Sequence, residues 1–224
     1  MDKSTSQRIC VRRHHRECRL RVQLVNRSRT EILAGTSTRV GFLVFLASGQ
    51  PTRLTLVHPA AVDKLALVDS AGLGKEAATI LKVATLPVLG ELLTRPSPSG
   101  TARFAKMLVH DPAVMTSDSI DLWFQMASLP GARQSFLRTL RANVNPFGQS
   151  KSVYGPNING LGSITKPVLV VWGRQDRIIP AAHADTAAKN LPNASVRIFD
   201  DCGHFAMLEH TPDFNDLLLG FLAD

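Results

Sequence analysis

The residues best suited to chemistry lie between Lys166 and Pro212, in a segment that reads KPVLVVWGRQDRIIP, then a helical run, then SVRIFDDCGHFAMLEHTP. Each apolar run predicts a strand: the first ends in a loop carrying Asp176, the second in a loop carrying His204. An open α/β sheet presents its working groups at the carboxyl ends of its strands. A carboxylate on one such loop and an imidazole on the next are two of the three partners that activate a hydroxyl nucleophile. The imidazole takes the hydroxyl proton and returns it to the leaving group, while the carboxylate fixes the tautomer and stabilises the imidazolium. The third partner, a serine on a G-x-S-x-G turn, is absent from the 224 residues. The plain alternatives are that Asp176 caps the start of the next helix and that His204 is a hydrogen-bonded loop histidine.

The elements that must position these groups are legible around them. Leu65 to Val68 is a near-continuous apolar run, as expected of a parallel strand covered on both faces, and it leads into a Gly-rich loop. Val40 to Gly49 is a shorter apolar run that suits another buried strand, followed by a helix that His58-Pro59 closes. Residues 75–150 hold no comparable strand and read as helices broken by Pro87, Pro96, Pro98, Pro112, Pro130 and Pro146. Thr116 or Ser117 suits the cap of a helix through SIDLWFQMASL, and a further helix places Phe136, Leu137 and Leu140 on its apolar side. Residues 148–163 read as a loop rich in Gly, Asn and Ser, Pro180 as the first turn of a helix, and Pro212 as the start of the last one. The expected fold class is α/β: a mostly parallel sheet flanked by helices, with an inserted helical cap at about residues 75–150.

Charge and composition narrow the function. The chain carries a formal net charge of +8. Residues 1–53 hold eleven Lys and Arg against three acids, and the remainder holds fifteen of each, so the body is neutral. Nucleic acid and membrane are therefore not expected partners of the body. No apolar run reaches the roughly 18–20 residues that span a bilayer. Cys10, Cys18 and Cys202 are too few and too scattered for a disulfide framework, and the expected setting is cytoplasmic.

From Arg53 onward the order HPAAVDKLALVDSAGLG, helical block, KPVLVVWGRQDRIIP, then D-C-G-H-F-x-x-x-E-x-x-x-x-F resembles the α/β-hydrolase superfamily. The resemblance implies that Asp176 and His204 are the acid and the base of a catalytic triad, and that the block between Gly74 and Ser163 is a cap over the pocket. It also implies a serine-type hydrolase of a small apolar ester or related carbonyl-centred bond, with a small-molecule substrate and no cofactor. The departure is upstream: the family's spacing, counted back from Pro59, lands on Phe45, in VGFLVFLASGQP. Ser48 is the nearest hydroxyl, but Leu46 and Gln50 stand where the turn needs glycine; Ser37 has Gly35 before it and Arg39 after. The abrupt change near Arg53 suits a truncated or frame-shifted gene joined to foreign sequence. The alternative function is a non-catalytic, hydrolase-like binding protein.

Other groups carry weaker expectations. Asp69 and Ser70 follow a strand end, where sheet ligands bind and where strand-end capping is also common. Trp123, Phe124, Met126 and Phe136 suit an apolar pocket or an ordinary core. Cys10, His14, His15 and Cys18 fall short of zinc spacing, and no metal is expected. The division is thus a basic segment, residues 1–39, and a partial hydrolase-like domain, residues 40–224. A sheet lacking its earlier strands exposes an edge through which copies could self-associate.

Overall fold

Residues alternate sides along a strand, so each of two apolar strands in mid-sheet needs a covered surface on both faces. The computed structural model, which describes the backbone at 40–46 and 50–51 and all atoms at 52–223, meets that need with a four-stranded sheet in the order β1-β2-β5-β6. The strands are β1 (Val40–Leu46), β2 (Val62–Val68), β5 (Val168–Gly173) and β6 (Ala194–Phe199), and every pairing among them is parallel. In register, Leu46 stands opposite Val68, Val68 opposite Val171, and Gly173 opposite Phe199. The carboxyl ends therefore lie side by side along one rim.

One face of β2 and β5 presents Leu65, Leu67, Val168, Val170 and Trp172. These pack with Leu54 and Leu56 of α1 (Gln50–Val57) and with Ala184 and Ala187 of α8 (Ala182–Asn190). The other face presents Ala66, Val68, Leu169 and Val171 to Phe214, Leu217, Leu218 and Phe221 of α10 (Thr211–Ala223). Each fully buried Leu or Val contributes about 1.5–3 kcal/mol relative to exposure. Lys64 ties α10 back to β2, its Nζ donating to the Phe221 carbonyl at 2.7 Å.

Between β2 and β5 runs the helical block. Its helices are α2 (Thr79–Ala84), α3 (Leu89–Leu93), α4 (Pro98–Met107), α5 (Ser117–Ala127) and α6 (Ala132–Asn143). Thr116 caps α5, accepting the Ser119 N–H. A hairpin of two-residue strands, β3 (Val144–Asn145) and β4 (Gly148–Gln149), follows. The Gln149 side chain accepts from Gly72 N–H at 2.7 Å and donates to the Glu76 carbonyl at 2.9 Å, fastening the hairpin to the loop after β2.

Three expectations change. Most of the segment read as a loop is a helix, α7 (Lys151–Gly160), which keeps Pro156 within it and runs on into a 3-10 turn, Leu161–Ser163. It forms because Leu161 at its end is fully buried in the sheet-side core; that packing outweighs weak helix propensity. Pro180 precedes the first turn of α8 instead of opening it, since that helix begins at Ala182. On α6 the apolar side is Leu137 and Leu140, both buried, whereas Phe136 is 41% exposed. Residues 1–39, and with them Cys10, His14, His15, Cys18 and Ser37, lie outside the described residues, as does Ser48. Among the described residues, no helix is long and apolar enough to cross a membrane, and Cys202 is a buried free thiol.

Candidate active site

Two adjacent strand ends build the site. Where β5 stops at Gly173, the chain turns through Arg174 and Gln175, and the Asp176 N–H donates to the Gly173 carbonyl at 3.2 Å. The two loops are stitched together: Arg174 N–H donates to the Phe199 carbonyl at 2.9 Å, and Gln175 N–H to the Cys202 carbonyl at 2.8 Å. The Gln175 side chain returns the bond, accepting the Cys202 N–H at 3.0 Å. The approach is so close that a Cβ at Gly173 would overlap the Gly203 carbonyl oxygen, so the strand end requires glycine there.

The stitching brings Asp176 and His204 together. Asp176 Oδ2 accepts from His204 Nδ1 at 2.7 Å, with the carboxylate side chain fully enclosed and the imidazole 4% exposed. The other oxygen, Oδ1, accepts the N–H groups of Ile178 and Ile179 at 2.7 and 3.0 Å. The turn-capping role and the imidazole-orienting role thus belong to different oxygens of one side chain. An ionised carboxylate only accepts, so Nδ1 carries the proton and the lone pair of the neutral ring sits on Nε2. That is the tautomer a general base needs.

Asp69 stands at the end of the neighbouring strand, 1% exposed, with a positive φ of 45°. Its Oδ1 accepts the Gly173 N–H at 3.0 Å, tying β2 to β5 beyond their last ladder pair. Burial, and then the charge of Asp176, hold its carboxyl well above the usual range, which favours a protonated group. Ser70 is fully buried and its hydroxyl donates to the Ala71 carbonyl at 3.3 Å. Asp69, Asp176 and His204 offer ligand atoms within 4.8 Å of one another, the one such cluster among the described residues. Its lone pairs are largely engaged within the protein: Nδ1 of His204 faces Asp176, and the second Asp176 oxygen is committed to backbone. Burial first, and then the charge of Glu209, pushes the Cys202 thiol up, which disfavours its thiolate form.

The expected pocket residues divide. Trp123 of α5 meets Phe205 edge-on at 5.8 Å, and Phe205 stacks on His204 at 5.8 Å. Phe124 is half-buried beside it, Met126 is 48% exposed, and Phe136 faces solvent. A surface hollow of about 740 Å³ lies elsewhere, lined by Val88, Glu91, Leu92, Arg95 and Arg133 of the helical block, and none of these belongs to the strand-end loops. Glu209 is the glutamate of the D-C-G-H-F-x-x-x-E pattern; in the structure its carboxylate accepts the N–H groups of Gly203, His110 and Asp111. The partner residues lie up to 99 positions away, a separation that leaves no local signal.

Residues 116–211 match the sequence model of the family described as alpha/beta hydrolase fold. The chain is 31% identical over 170 residues to a 2-hydroxy-6-oxononadienedioate/2-hydroxy-6-oxononatrienedioate hydrolase of Cupriavidus pinatubonensis, covering 75% of this chain and 56% of that one. It is 30% identical over 169 residues to the enzyme of the same name from Paraburkholderia xenovorans, with the same coverage of 75% and 56%. The chain thus spans a little over half the length of the curated relatives it matches. In fold it is similar to a meta-cleavage product hydrolase from Pseudomonas fluorescens, with a TM-score of 0.66 at 18% identity over 82% of this chain and 65% of that one. An alpha/beta hydrolase fold protein from Burkholderia ambifaria gives 0.68 at 14% identity, over 82% and 66%.

Proposed function

Because the chain belongs to the α/β-hydrolase superfamily, we propose that it carries the acid and base of a serine-type hydrolase acting on a small 2-hydroxy-6-oxo-dienoate or a related carbonyl compound. The observation that supports this reading is the enclosed 2.7 Å bond between His204 and Asp176. His204 accepts a proton at Nε2 from the nucleophile and delivers it to the departing group; Asp176 holds the ring and stabilises its charged form. The substrate class is carried from the names of the relatives, and the chemistry needs no cofactor. The helical block of residues 75–150 acts as the cap, with Trp123 and Phe205 forming the apolar wall nearest the imidazole.

The nucleophile belongs on the connection between β1 and α1. β1 lies beside β2 in parallel and ends at the same rim as the two loops, and its connection to α1 contains Ser48. Leu46 and Gln50 stand where a nucleophile turn around Ser48 needs glycine, which supports the second reading, a binding protein that retains the pair without catalysis. One experiment separates the two. The full chain is incubated with a short-chain aryl ester and with a fluorophosphonate. Turnover and a single labelled serine, both lost in His204→Ala and the label lost in Ser48→Ala, support the hydrolase. Absence of label and turnover in a folded chain overturns it in favour of the binding protein.

A further inference from the structure

Glu209 ends the short helix α9 (Ala206–Glu209), five residues after His204, and touches no group that reacts in the proposed chemistry. Its carboxylate nevertheless gathers three backbone donors from two separate parts of the molecule. Oε1 accepts the N–H of Gly203, the residue before His204, at 2.7 Å. Oε2 accepts the N–H groups of His110 and Asp111, which follow α4 in the helical block, at 2.6 and 3.1 Å. Hydrogen bonds to an ionised carboxylate are shorter and stronger than those between neutral groups.

The seam is closed from both sides. The His204 N–H donates to the Leu108 carbonyl at 2.7 Å. A Cβ on Gly203 would come within 2.7 Å of the His110 nitrogen and of the Val109 carbonyl carbon, so the two backbones are in direct contact. Trp123 of the block meets Phe205 edge-on, extending the contact past the imidazole. The His204 loop has no regular ladder of its own and includes Asp201 at a positive φ of 50°. Its position is therefore set by what it is bonded to, and those bonds lead to the helical block, through Leu108 and through Glu209, as well as to the loop after β5.

We propose that Glu209 is a positioning residue that couples the two parts: its carboxylate fixes the His204 loop to the Leu108–Asp111 turn, so that the imidazole reaches Asp176 only while the helical block is docked. The coupling rests on the acid–base reading of Asp176 and His204. It makes block movement a control on the base: when the Leu108–Asp111 turn shifts, Gly203 follows and the ring leaves its carboxylate.

The test uses the full chain labelled with nitrogen-15. It reads the low-field Nδ1–H proton resonance of His204 together with amide exchange at Gly203, His110 and Asp111, neither of which requires activity. Asp176→Asn serves as the reference that removes the resonance. Glu209→Ala is expected to broaden or abolish the same resonance with Asp176 intact, and to speed exchange of the three amides by about tenfold or more. Glu209→Gln, which keeps the shape and loses the charge, is expected to fall between the two and gives the same reading if the alanine variant does not fold. Faster exchange in Glu209→Ala or Glu209→Gln with an unchanged His204 resonance overturns the coupling and leaves the acid–base pair standing. A wild-type chain with no resonance that Asp176→Asn removes overturns the pair, and the coupling with it.

Discussion

Among the described residues, two carboxylate–imidazole pairs stand at nearly the same separation, and they differ in burial and in which ring nitrogen makes the bond. Asp176 and His204 meet at 2.7 Å, Glu76 and His183 at 3.0 Å. In the first pair the carboxylate is enclosed, its second oxygen caps a turn, and the imidazole makes the bond through Nδ1. In the second the carboxylate is 64% exposed and the imidazole, 2% exposed, uses Nε2 for that bond. The other nitrogen of His183 has no partner among the described residues, and the ring is wedged edge-on against Trp172 at 6.2 Å. His183 is a packing group that fastens the loop after β2 to α8. The lesson is that a general base is defined by the nitrogen its surroundings leave open, more than by the carboxylate beside it.

The sharpest way to break this comparison is to remove each carboxylate in turn. Asp176→Ala strips the acceptor from three buried donors, Ile178 N–H, Ile179 N–H and His204 Nδ1–H. The expected cost is about 3–5 kcal/mol, read as a lower denaturant midpoint at constant m-value. Glu76→Ala takes the partner from His183 Nε2 but leaves room for water where the exposed carboxylate stood, and is expected to cost only about 1 kcal/mol. Equal losses in the two variants would mean that the enclosure of Asp176 does not set it apart.

How far the sequence disclosed this follows from what each signal depends on. Leu65–Val68 and Val168–Trp172 were legible as strands because burial on both faces demands unbroken apolar character. Asp176 and His204 could be singled out because each stands a few residues past a predicted strand, Asp176 after the buried β5 and His204 after the more exposed β6. The helix α7 was hidden: Gly155, Pro156, Asn157 and Gly160 argue locally against a helix, and it is packing at Leu161 and against α1 that overrides them. His183 sat unnoticed on an ordinary helix, since nothing local reveals that Glu76, 107 residues earlier, reaches it. The same distance concealed the bond from Gly173 to Asp69 and the clamp at Glu209.

The next largest effect acts on the second pair alone. A Cβ at Gly74 would overlap His183 Nε2 and stand 2.8 Å from two ring carbons. The ring has no space to retreat, being wedged against Trp172 in a filled core. Gly74→Ala is expected to cost about 1–3 kcal/mol by overpacking, and to detach Glu76 from the ring. Denaturant titration gives the cost, and the His204 ring resonances should stay where they are. Movement of both histidines together would show that the two pairs are coupled through the sheet.

A smaller effect comes from protons. Burial pushes His183 below its ordinary value of 6.5, with Glu76 opposing the shift. The unfolded chain then binds a proton that the folded chain resists, so stability is full above 6.5 and falls as pH drops from there toward the folded value. Glu76 is held below its ordinary 4.5, chiefly by its own backbone N–H and then by His183, so its contribution persists above 4.5 and fades below. Glu76→Gln removes the opposing carboxylate and should deepen the acid loss. Denaturant midpoints compared from about pH 7.5 to about pH 5 check this as the difference between wild type and variant. Parallel curves would mean that Glu76 does not influence His183.

The smallest expected effect bears on where the proposed apolar wall beside His204 ends. On α6, Leu137 and Leu140 are buried three residues apart, which fixes the direction of that helix face toward the block interior. Phe136 is one residue before Leu137, about 100° around the helix, and is 41% exposed. Its ring therefore covers little that folding would otherwise leave wet. Phe136→Ser is expected to change stability by no more than about 0.5 kcal/mol and to leave binding of an apolar substrate analogue unchanged, both measurable on one purified variant. Trp123→Ser, placed on Phe205 beside His204, should weaken that binding. A loss of affinity in Phe136→Ser as large as in Trp123→Ser would move the wall of the pocket outward to α6.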